Sequence, residues 1–323
     1  MEKMLLDIVL LVTGTALVLW GADRFIDSAS AIARRWNISE MVIGLTVVAV
    51  GTSLPEFVVS FFSAVQDSGD MSVGNIVGSN IFNTLMIVGF AALMKPILIP
   101  HKILLHRDML LSLGAAFVLL AMCSDSQLNR WDGIVLLVFF AMFMGYAYYI
   151  AMHSRRYAAE TEGGEDAQDK HGCEYSIRRI LVLLVMGLAA LVGGGQVMVH
   201  SASALALACG MSEGLVGLTI LAAGTSLPEL ATSVVAAHKG SKDLALGNVL
   251  GSNIFNICLV LGSTSLLRPI EVTGMTKVDW TVLIGSGAAL LLYVPVHHRF
   301  GRIEGAVLVL AYMAYLTWLI TGI

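Results

Sequence analysis

The stretch GTSLPE occupies residues 51–56 and recurs unchanged at residues 224–229, 173 positions later. A second pair of signatures keeps the same offset: GN at 74–75 with GSNIFN at 78–83 recurs as GN at 247–248 with GSNIFN at 251–256. Each GTSLPE copy places a proline and a glutamate in an apolar run. A carboxylate inside a membrane is costly and marks a functional site. Two of them, in duplicated surroundings, predict an ion pathway.

The composition predicts a polytopic membrane protein with the lipid bilayer as its main partner. Of the 323 residues, 57% are hydrophobic and 13% charged, against about 25% charged in soluble domains; the mean hydropathy is +0.82. Because the apolar runs are continuous and do not alternate with a period of two, we expect an all-α fold of transmembrane helices, each about 20 residues long. We count ten runs, at about 4–22, 41–65, 71–94, 108–123, 131–152, 178–200, 214–237, 243–267, 279–296 and 303–322.

The rest of the composition argues against several other kinds of site. The four cysteines form no close pair and no metal-ligand spacing, so neither a disulfide nor a zinc site is expected. We expect no cofactor, no nucleic-acid partner and no obligate protein partner. The first apolar run lacks a small-residue cleavage site, which predicts a retained helix and not a signal peptide.

The basic residues predict the orientation in the membrane. With the N-terminus outside, 15 of the 19 lysines and arginines fall in inner loops, and only Lys3, Arg130, Arg268 and Lys277 lie on the outer face. The positive-inside rule then places both termini on the non-cytoplasmic side of a bacterial inner (plasma) membrane.

The chain divides into two related halves. Positions 44–89 and 217–262 share 23 identities in 46 aligned positions. We predict a first five-helix repeat over 1–152, a polar and flexible cytoplasmic linker over 153–177, and a second repeat over 178–323. Five is an odd number, so the second copy must enter the membrane from the opposite side. Such inverted-topology repeats are typical of secondary transporters, with ion sites near the midplane where the repeats meet.

The signatures offer oxygen atoms at membrane depth. Pro55 and Pro228 lack the N–H that would bond the carbonyl four residues earlier, near Gly51 and Gly224. Helical spacing aligns Thr52, Glu56 and Ser60 on one stripe and Asn75, Ser79 and Asn83 on another, and Gly74 and Gly78 should let that second helix approach a neighbour closely. The equivalent stripes of the second half are Thr225, Glu229 and Ser233, and Asn248, Ser252 and Asn256. This all-oxygen set favours hard cations such as Ca²⁺ or Na⁺.

Other polar residues in these helices have a simpler interpretation. Ser60, Ser233, Asn75 and Asn248 are expected mainly to pack helices together. Asn80 and Asn253 lie off the polar stripes, which leaves a packing role and a site role open. The triplet Gly193-Gly194-Gly195 predicts a tight helix contact.

The paired signatures resemble the α-repeats of the cation/Ca²⁺ exchanger superfamily, of the sodium/calcium exchanger type, in its compact prokaryotic branch. The resemblance covers both signatures, the ten predicted helices and the position of the linker. It implies a secondary active antiporter that exchanges Ca²⁺ for Na⁺ by alternating access. The first and sixth helices would slide across the other eight.

The resemblance also implies a set of ion ligands. Glu56 and Glu229 would be the central ligands for Ca²⁺, assisted by Thr52 and Thr225. Sodium would use the same carboxylates together with further hydroxyl and carbonyl oxygens, those of Ser53, Ser79, Ser226, Ser252, Ala49 and Ala222.

Asn83 and Asn256 depart from the pattern that the resemblance implies. In the exchangers of this type one of the two positions is an aspartate, whereas here both are asparagine. The site then holds two carboxylates instead of three. Exchange of Ca²⁺ or another cation for H⁺, or coupling to K⁺, therefore stays open as an alternative to Na⁺ coupling.

Two other functional classes are less well supported by the residues. A channel needs no duplicated, inverted pair of signatures. An intramembrane enzyme could use two acidic residues as a hydrolytic dyad, but no nucleophile, metal-ligand set or phosphate-binding motif accompanies them. We therefore expect a transporter and not an enzyme.

Overall fold

A computed structural model describes residues 2–65, 69–98, 102–161, 176–211, 220, 222–297 and 299–321, and these are almost entirely helical. Several helices change locally to the wider π-helical winding. The helices are α1 (Glu2–Trp36), α2 (Glu40–Thr52, π-helical over Gly44–Val48), α3 (Leu54–Val65), α4 (Gly69–Phe82, continued by the π-helical Asn83–Ile87 and by Val88–Met94), α5 (Lys102–Met122), α6 (Arg130–Thr161), α7 (Ile177–Ala208), α8 (Leu227–Lys239), α9 (Lys242–Ile254, continued by the π-helical Phe255–Leu261 and by Gly262–Leu267), α10 (Lys277–Val296) and α11 (Arg302–Thr321). Short turns lie at Cys123–Asp125 and Ala222–Gly224.

The predicted all-helical membrane fold is confirmed. Within the described ranges, eight helices are long and apolar enough to cross a membrane, or nine if the bent pair α2 and α3 counts as one span. The remaining predicted helix, 214–237, includes residues 214–219 and 221, which lie outside the described part of the chain. The ten-helix count therefore stays a prediction. The linker predicted over 153–177 also falls largely outside it, and α6 continues as a helix to Thr161.

The two GTSLPE copies break their helices in the same way. Ser53 separates α2 from α3 with φ −85° and ψ 8°, and the two helices differ in direction by 47°. Ser226 has φ −89° and ψ 8° immediately before α8. Pro55 and Pro228 each lie in the first turn after the break, where the missing N–H is tolerated. The repeated proline thus produces a repeated bend.

Two small pairs of strands tie loops together. The first joins β1 (Ile97–Leu98) to β4 (Arg299–Phe300), and the second joins β2 (Gln127–Leu128) to β3 (Ile270–Glu271); both are antiparallel. The charge pattern assigns both loops of the first pair to the inner face and both loops of the second pair to the outer face. The pairing agrees with the predicted grouping of the loops.

The helices that carry the GSNIFN signatures form the centre of the molecule. The most apolar windows of Met71–Met94 and Lys242–Leu267 are 78% and 94% buried, whereas those of the other continuous spans are 11–28% buried. The peripheral helices expose large apolar side chains, such as Leu292 and Ile303. This distribution suits a bundle whose outer surface contacts lipid and whose polar signatures lie inside.

Helices α1 and α7 contact each other closely through glycines. A Cβ atom at Gly14 would lie 2.9 Å from the carbonyl oxygen of Gly194, and one at Gly21 would lie 2.7 Å from that of Gly187. The order of these contacts shows that the two helices run antiparallel. The tight contact predicted for the glycine triplet is confirmed at Gly194.

Helix α9 packs with similar closeness on α2. A Cβ atom at Gly247 would lie 2.5 Å from the carbonyl oxygen of Met41, and one at Gly251 would overlap that of Leu45. The close approach predicted for Gly74 and Gly78 is not found, because a Cβ atom at either position would have no described atom within 4 Å. Residues 212–219, which align with the start of α2, lie outside the described part of the chain.

Candidate functional site

The bends before α3 and α8 bring both signature glutamates into the interior. The side chains of Glu56 and Glu229 are each 0% exposed. Two buried carboxylates of like charge are unfavourable unless cations or protons neutralise them.

Each carboxylate accepts a hydrogen bond from the serine of the other GTSLPE copy. The Ser226 hydroxyl donates to Oε1 of Glu56 at 3.0 Å, and the Ser53 hydroxyl donates to Oε1 of Glu229 at 2.8 Å. Within the first half, the Ser79 hydroxyl lies at the longer distance of 3.5 Å from Oε1 of Glu56. The two duplicated halves therefore complete one shared site.

The signature threonines also bond across the halves. The Thr52 hydroxyl donates to Oδ1 of Asn248 at 3.1 Å, and the Thr225 hydroxyl donates to Oδ1 of Asn75 at 3.4 Å. The side-chain amide of Asn248 in turn donates to the Ser233 hydroxyl at 2.9 Å, and that of Asn75 to the Ser60 hydroxyl at 3.1 Å. Asn75, Asn248, Ser60 and Ser233 thus hold the threonines in place, in keeping with the packing role predicted for them.

Asn83 and Asn256 are held by two residues that the stripe pattern did not select. The amide nitrogen of Asn83 donates to Oδ1 of Asn253 at 3.1 Å, and that of Asn256 donates to Oδ1 of Asn80 at 3.3 Å. Both bonds join the two halves. Asn80 and Asn253 belong to the repeated GSNIFN segment, and this duplication is the signal in the sequence that could have identified them.

Several buried oxygen atoms of the site have no hydrogen-bond partner among the described residues. They come from both halves and are Oε2 of Glu56, Oε2 of Glu229, Oδ1 of Asn83, Oδ1 of Asn256 and Oγ of Ser252. A buried polar atom without a partner is costly and rare in proteins. Carboxylate, amide and hydroxyl oxygens are the ligands that Ca²⁺ and Na⁺ prefer, so these atoms fit a cation.

The predicted carbonyl ligands belong to the same signatures. The carbonyl oxygen of Ala49 accepts the backbone N–H of Ser53 at 3.1 Å and lies 3.4 Å from the Thr52 hydroxyl oxygen. Ala222 begins the helical turn Ala222–Gly224. The described residues contain no group of three or more His, Cys, Asp and Glu side chains that could hold a metal ion. The site therefore depends on two carboxylates and neutral oxygens.

The fold and the site together define a polytopic membrane protein with two buried carboxylates and unpartnered oxygen atoms in its described interior. The chain matches the family model described as sodium/calcium exchanger protein over residues 6–149 and 179–321. The chain therefore belongs to the sodium/calcium exchanger protein family. This is a family of exchangers and not of enzymes.

Individual relatives agree with this assignment over nearly the whole chain. The sodium/calcium exchanger MaX1 of Methanosarcina acetivorans is 31% identical over 341 residues, covering 96% of this chain and 97% of that protein. The inner membrane protein YrbG of Escherichia coli is 36% identical over 286 residues, 87% of this chain and 86% of the relative. A solved structure of the sodium-calcium exchanger NCX_Mj superposes with a TM-score of 0.81 at 31% identity, covering 97% of this chain and 99% of NCX_Mj.

Proposed function

We propose that the protein is a secondary active antiporter that exchanges Ca²⁺ for Na⁺ by alternating access. The observation that carries the proposal is the shared site, in which two fully buried glutamates from duplicated halves are joined by Ser53 and Ser226 and accompanied by unpartnered oxygens. Membership of an exchanger family supports cation exchange, and the oxygen chemistry supports Ca²⁺ and Na⁺ as its substrates.

The proposed ligands are those of the sequence prediction. Glu56 and Glu229 bind both ions, which must therefore compete for one pair of carboxylates. Thr52 and Thr225 assist Ca²⁺, and Na⁺ also uses neutral oxygens from both signatures. These are the oxygens of Ser53, Ser226, Ser79, Ser252, Asn83, Asn256, Ala49 and Ala222.

The charge of the site explains why exchange is favoured over leak. Two carboxylates are neutralised by one Ca²⁺ or by two Na⁺, so either load makes the site electrically balanced. With no cation bound, two buried charges would have to pass between the two access states, which is unfavourable in a medium of low dielectric constant. The loaded states are therefore the ones that move.

We further propose that α1 and α7 slide together across the remaining helices, as the two inverted repeats would allow. Their glycine-mediated contact supports movement as one unit. Their antiparallel arrangement also supports inverted repeats, because α1 and α7 begin the two halves. From the distribution of basic residues, we also propose that both termini lie on the non-cytoplasmic side of the inner membrane.

Uptake of radiolabelled Ca²⁺ into proteoliposomes loaded with Na⁺ tests the proposal. Wild-type uptake should require internal Na⁺ and should be abolished in Glu56→Gln and in Glu229→Gln, because each substitution removes one of the two charges that bind Ca²⁺. Choline replaces Na⁺ in the control vesicles. Absence of Ca²⁺ movement under any Na⁺ or H⁺ gradient would reject the proposal.

The same vesicles separate Na⁺ coupling from the alternatives that Asn83 and Asn256 leave open. Uptake that ignores Na⁺ and follows a pH gradient would assign a Ca²⁺/H⁺ exchanger, with the glutamates carrying protons on the return step. Uptake that needs K⁺ together with Na⁺ would assign K⁺-coupled exchange.

A further inference from the structure

We infer that Asn80 and Asn253 are positioning residues that determine which atom of Asn83 and Asn256 faces the transported ions. An asparagine amide is nearly symmetric in shape, but one side is an oxygen that attracts cations and the other is an NH₂ group that repels them. A cation site built with neutral amides therefore needs a device that fixes their orientation. The inference rests on the proposed cation exchange.

The orientation of Asn83 follows from a hydroxyl whose own proton is committed. The Thr84 hydroxyl donates to the backbone carbonyl of Asn80 at 2.8 Å, so toward Asn253 it can only accept. Asn253 must therefore turn its amide nitrogen to Thr84, at 3.1 Å, and its oxygen to Asn83. Asn83 must then donate its nitrogen to Asn253 and leave its own oxygen, which has no partner among the described residues.

The orientation of Asn256 follows from a backbone carbonyl, which can only accept. The amide nitrogen of Asn80 donates to the carbonyl oxygen of Asn253 at 3.1 Å, so the Asn80 side-chain oxygen points the other way. It accepts the amide nitrogen of Asn256 at 3.3 Å. The Asn256 oxygen is again the atom without a partner among the residues described. Both chains of hydrogen bonds thus begin at a group that cannot reverse its polarity.

The two chains of hydrogen bonds begin differently because the repeats carry different residues at the position of Thr84. Thr84 of the first half aligns with Ile257 of the second, which has no hydroxyl. Asn253 is therefore anchored by a side chain, whereas Asn80 is anchored by the backbone. This asymmetry makes Thr84 the point at which the orientation of Asn83 can be altered without touching either proposed ligand or its positioning residue.

The test compares three variants in the full-length protein by Na⁺-driven Ca²⁺ uptake. Asn253→Leu removes the acceptor for Asn83, so the amide can turn its NH₂ group to the ions; the KM for Ca²⁺ should rise about tenfold or more, equivalent to about 1.4 kcal/mol. At acidic pH, where the introduced carboxyl group is protonated, Asn253→Asp donates to Thr84 as the amide does and keeps an oxygen toward Asn83, so the KM should stay close to that of the wild type at the same pH. Thr84→Ile, which copies the residue of the second half, should raise the KM by a smaller factor.

A packing role alone predicts a different pattern. It would lower the yield or the thermal stability of Asn253→Leu and Asn253→Asp alike, and leave the KM for Ca²⁺ unchanged in the protein that folds. That result, or an unchanged KM in Thr84→Ile, would overturn the inference.

A second measurement does not depend on transport. In protein labelled with ¹⁵N in the asparagine side chains, the amide signal of Asn83 should shift in Asn253→Leu and in Thr84→Ile but little in Asn253→Asp at acidic pH. An Asn83 signal that ignores all three changes would overturn the inference. Wild-type protein that moves no Ca²⁺ while these shifts occur would instead reject the proposed function and keep the hydrogen-bond arrangement.

Discussion

At the scale of single residues, the site combines two charges with neutral oxygens whose direction is fixed by their neighbours. Ser53 donates to Glu229 and Ser226 donates to Glu56, so each glutamate depends on the other repeat for a hydrogen-bond donor. Asn256 is held by its nitrogen at Oδ1 of Asn80. A substitution at Asn256 therefore changes both a proposed ligand and the hydrogen bond behind it.

Asn256→Asp should make transport depend on pH more steeply than in the wild type. When ionised, the introduced side chain would place a carboxylate oxygen where the Asn256 nitrogen now lies, 3.3 Å from Oδ1 of Asn80, and two acceptors repel each other. When protonated, the introduced carboxyl group donates to Asn80 and resembles the asparagine. The ratio of variant to wild-type Ca²⁺ uptake should therefore fall as the pH rises.

The double variant Asn256→Asp with Asn80→Leu is the control for that prediction. Leucine removes the facing oxygen, and the uptake ratio should then vary less with pH. A ratio for the single variant that is constant from acidic to alkaline pH would contradict the repulsion argument.

At the scale of the helices, close contact between backbones depends on individual glycines and not on glycine content. In the triplet of α7, a Cβ atom at Gly194 would lie 3.0 Å from the carbonyl oxygen of Gly14 and 2.7 Å from Cβ of Leu17, whereas Gly193 and Gly195 have no described atom within 4 Å. Gly193 and Gly195 are therefore matched controls for a substitution at Gly194.

Gly194→Ala should lower the stability of the protein by about 1–3 kcal/mol, because the added methyl group must push α1 away from α7. Gly193→Ala and Gly195→Ala should change it little or raise it slightly, because alanine favours the helix. Thermal unfolding of the three variants in detergent measures the difference. Equal shifts in all three would contradict the assignment of Gly194 to the contact.

The same scale shows how far the sequence could predict the structure. The helices and the bends at Ser53 and Ser226 were predictable, because apolar runs and prolines act within one segment. The bonds from Ser226 to Glu56 and from Asn83 to Asn253 were not, because each joins the two halves and depends on how the halves pack. Asn80 and Asn253 were left open because a helical stripe describes one face of one helix, whereas these residues bond between α4 and α9.

At the scale of the whole molecule, an ion-pair cluster among the described residues connects the proposed moving helices to the rest. Lys239, at the end of α8, lies 2.6 Å from a carboxylate oxygen of Asp23 and 2.6 Å from one of Asp27, both on α1. The aligned positions in the other half are Gln66, Gln196 and His200, which offer no equivalent set of opposite charges. The cluster therefore distinguishes the two faces of the molecule. In the proposed orientation it lies on the cytoplasmic face.

Lys239→Gln should shift the balance of access states toward opening on the face that carries this cluster. Sliding of α1 past α8 would separate Lys239 from Asp23 and Asp27, so the pairs stabilise the state in which they form. Exposed ion pairs contribute about 0.2–1 kcal/mol, which corresponds to a change of about 1.4- to 5-fold in the equilibrium. Hydrogen–deuterium exchange should rise at the end of α1 and in α8, and high ionic strength should move the wild type toward the variant, because salt screens exposed charges.

Lys242→Gln is the matched control. It removes a charge three residues away whose side chain has no ion pair among the described residues, and it should leave hydrogen–deuterium exchange unchanged. Equal hydrogen–deuterium exchange in Lys239→Gln and Lys242→Gln would show that the ion pairs do not shift the balance between the access states.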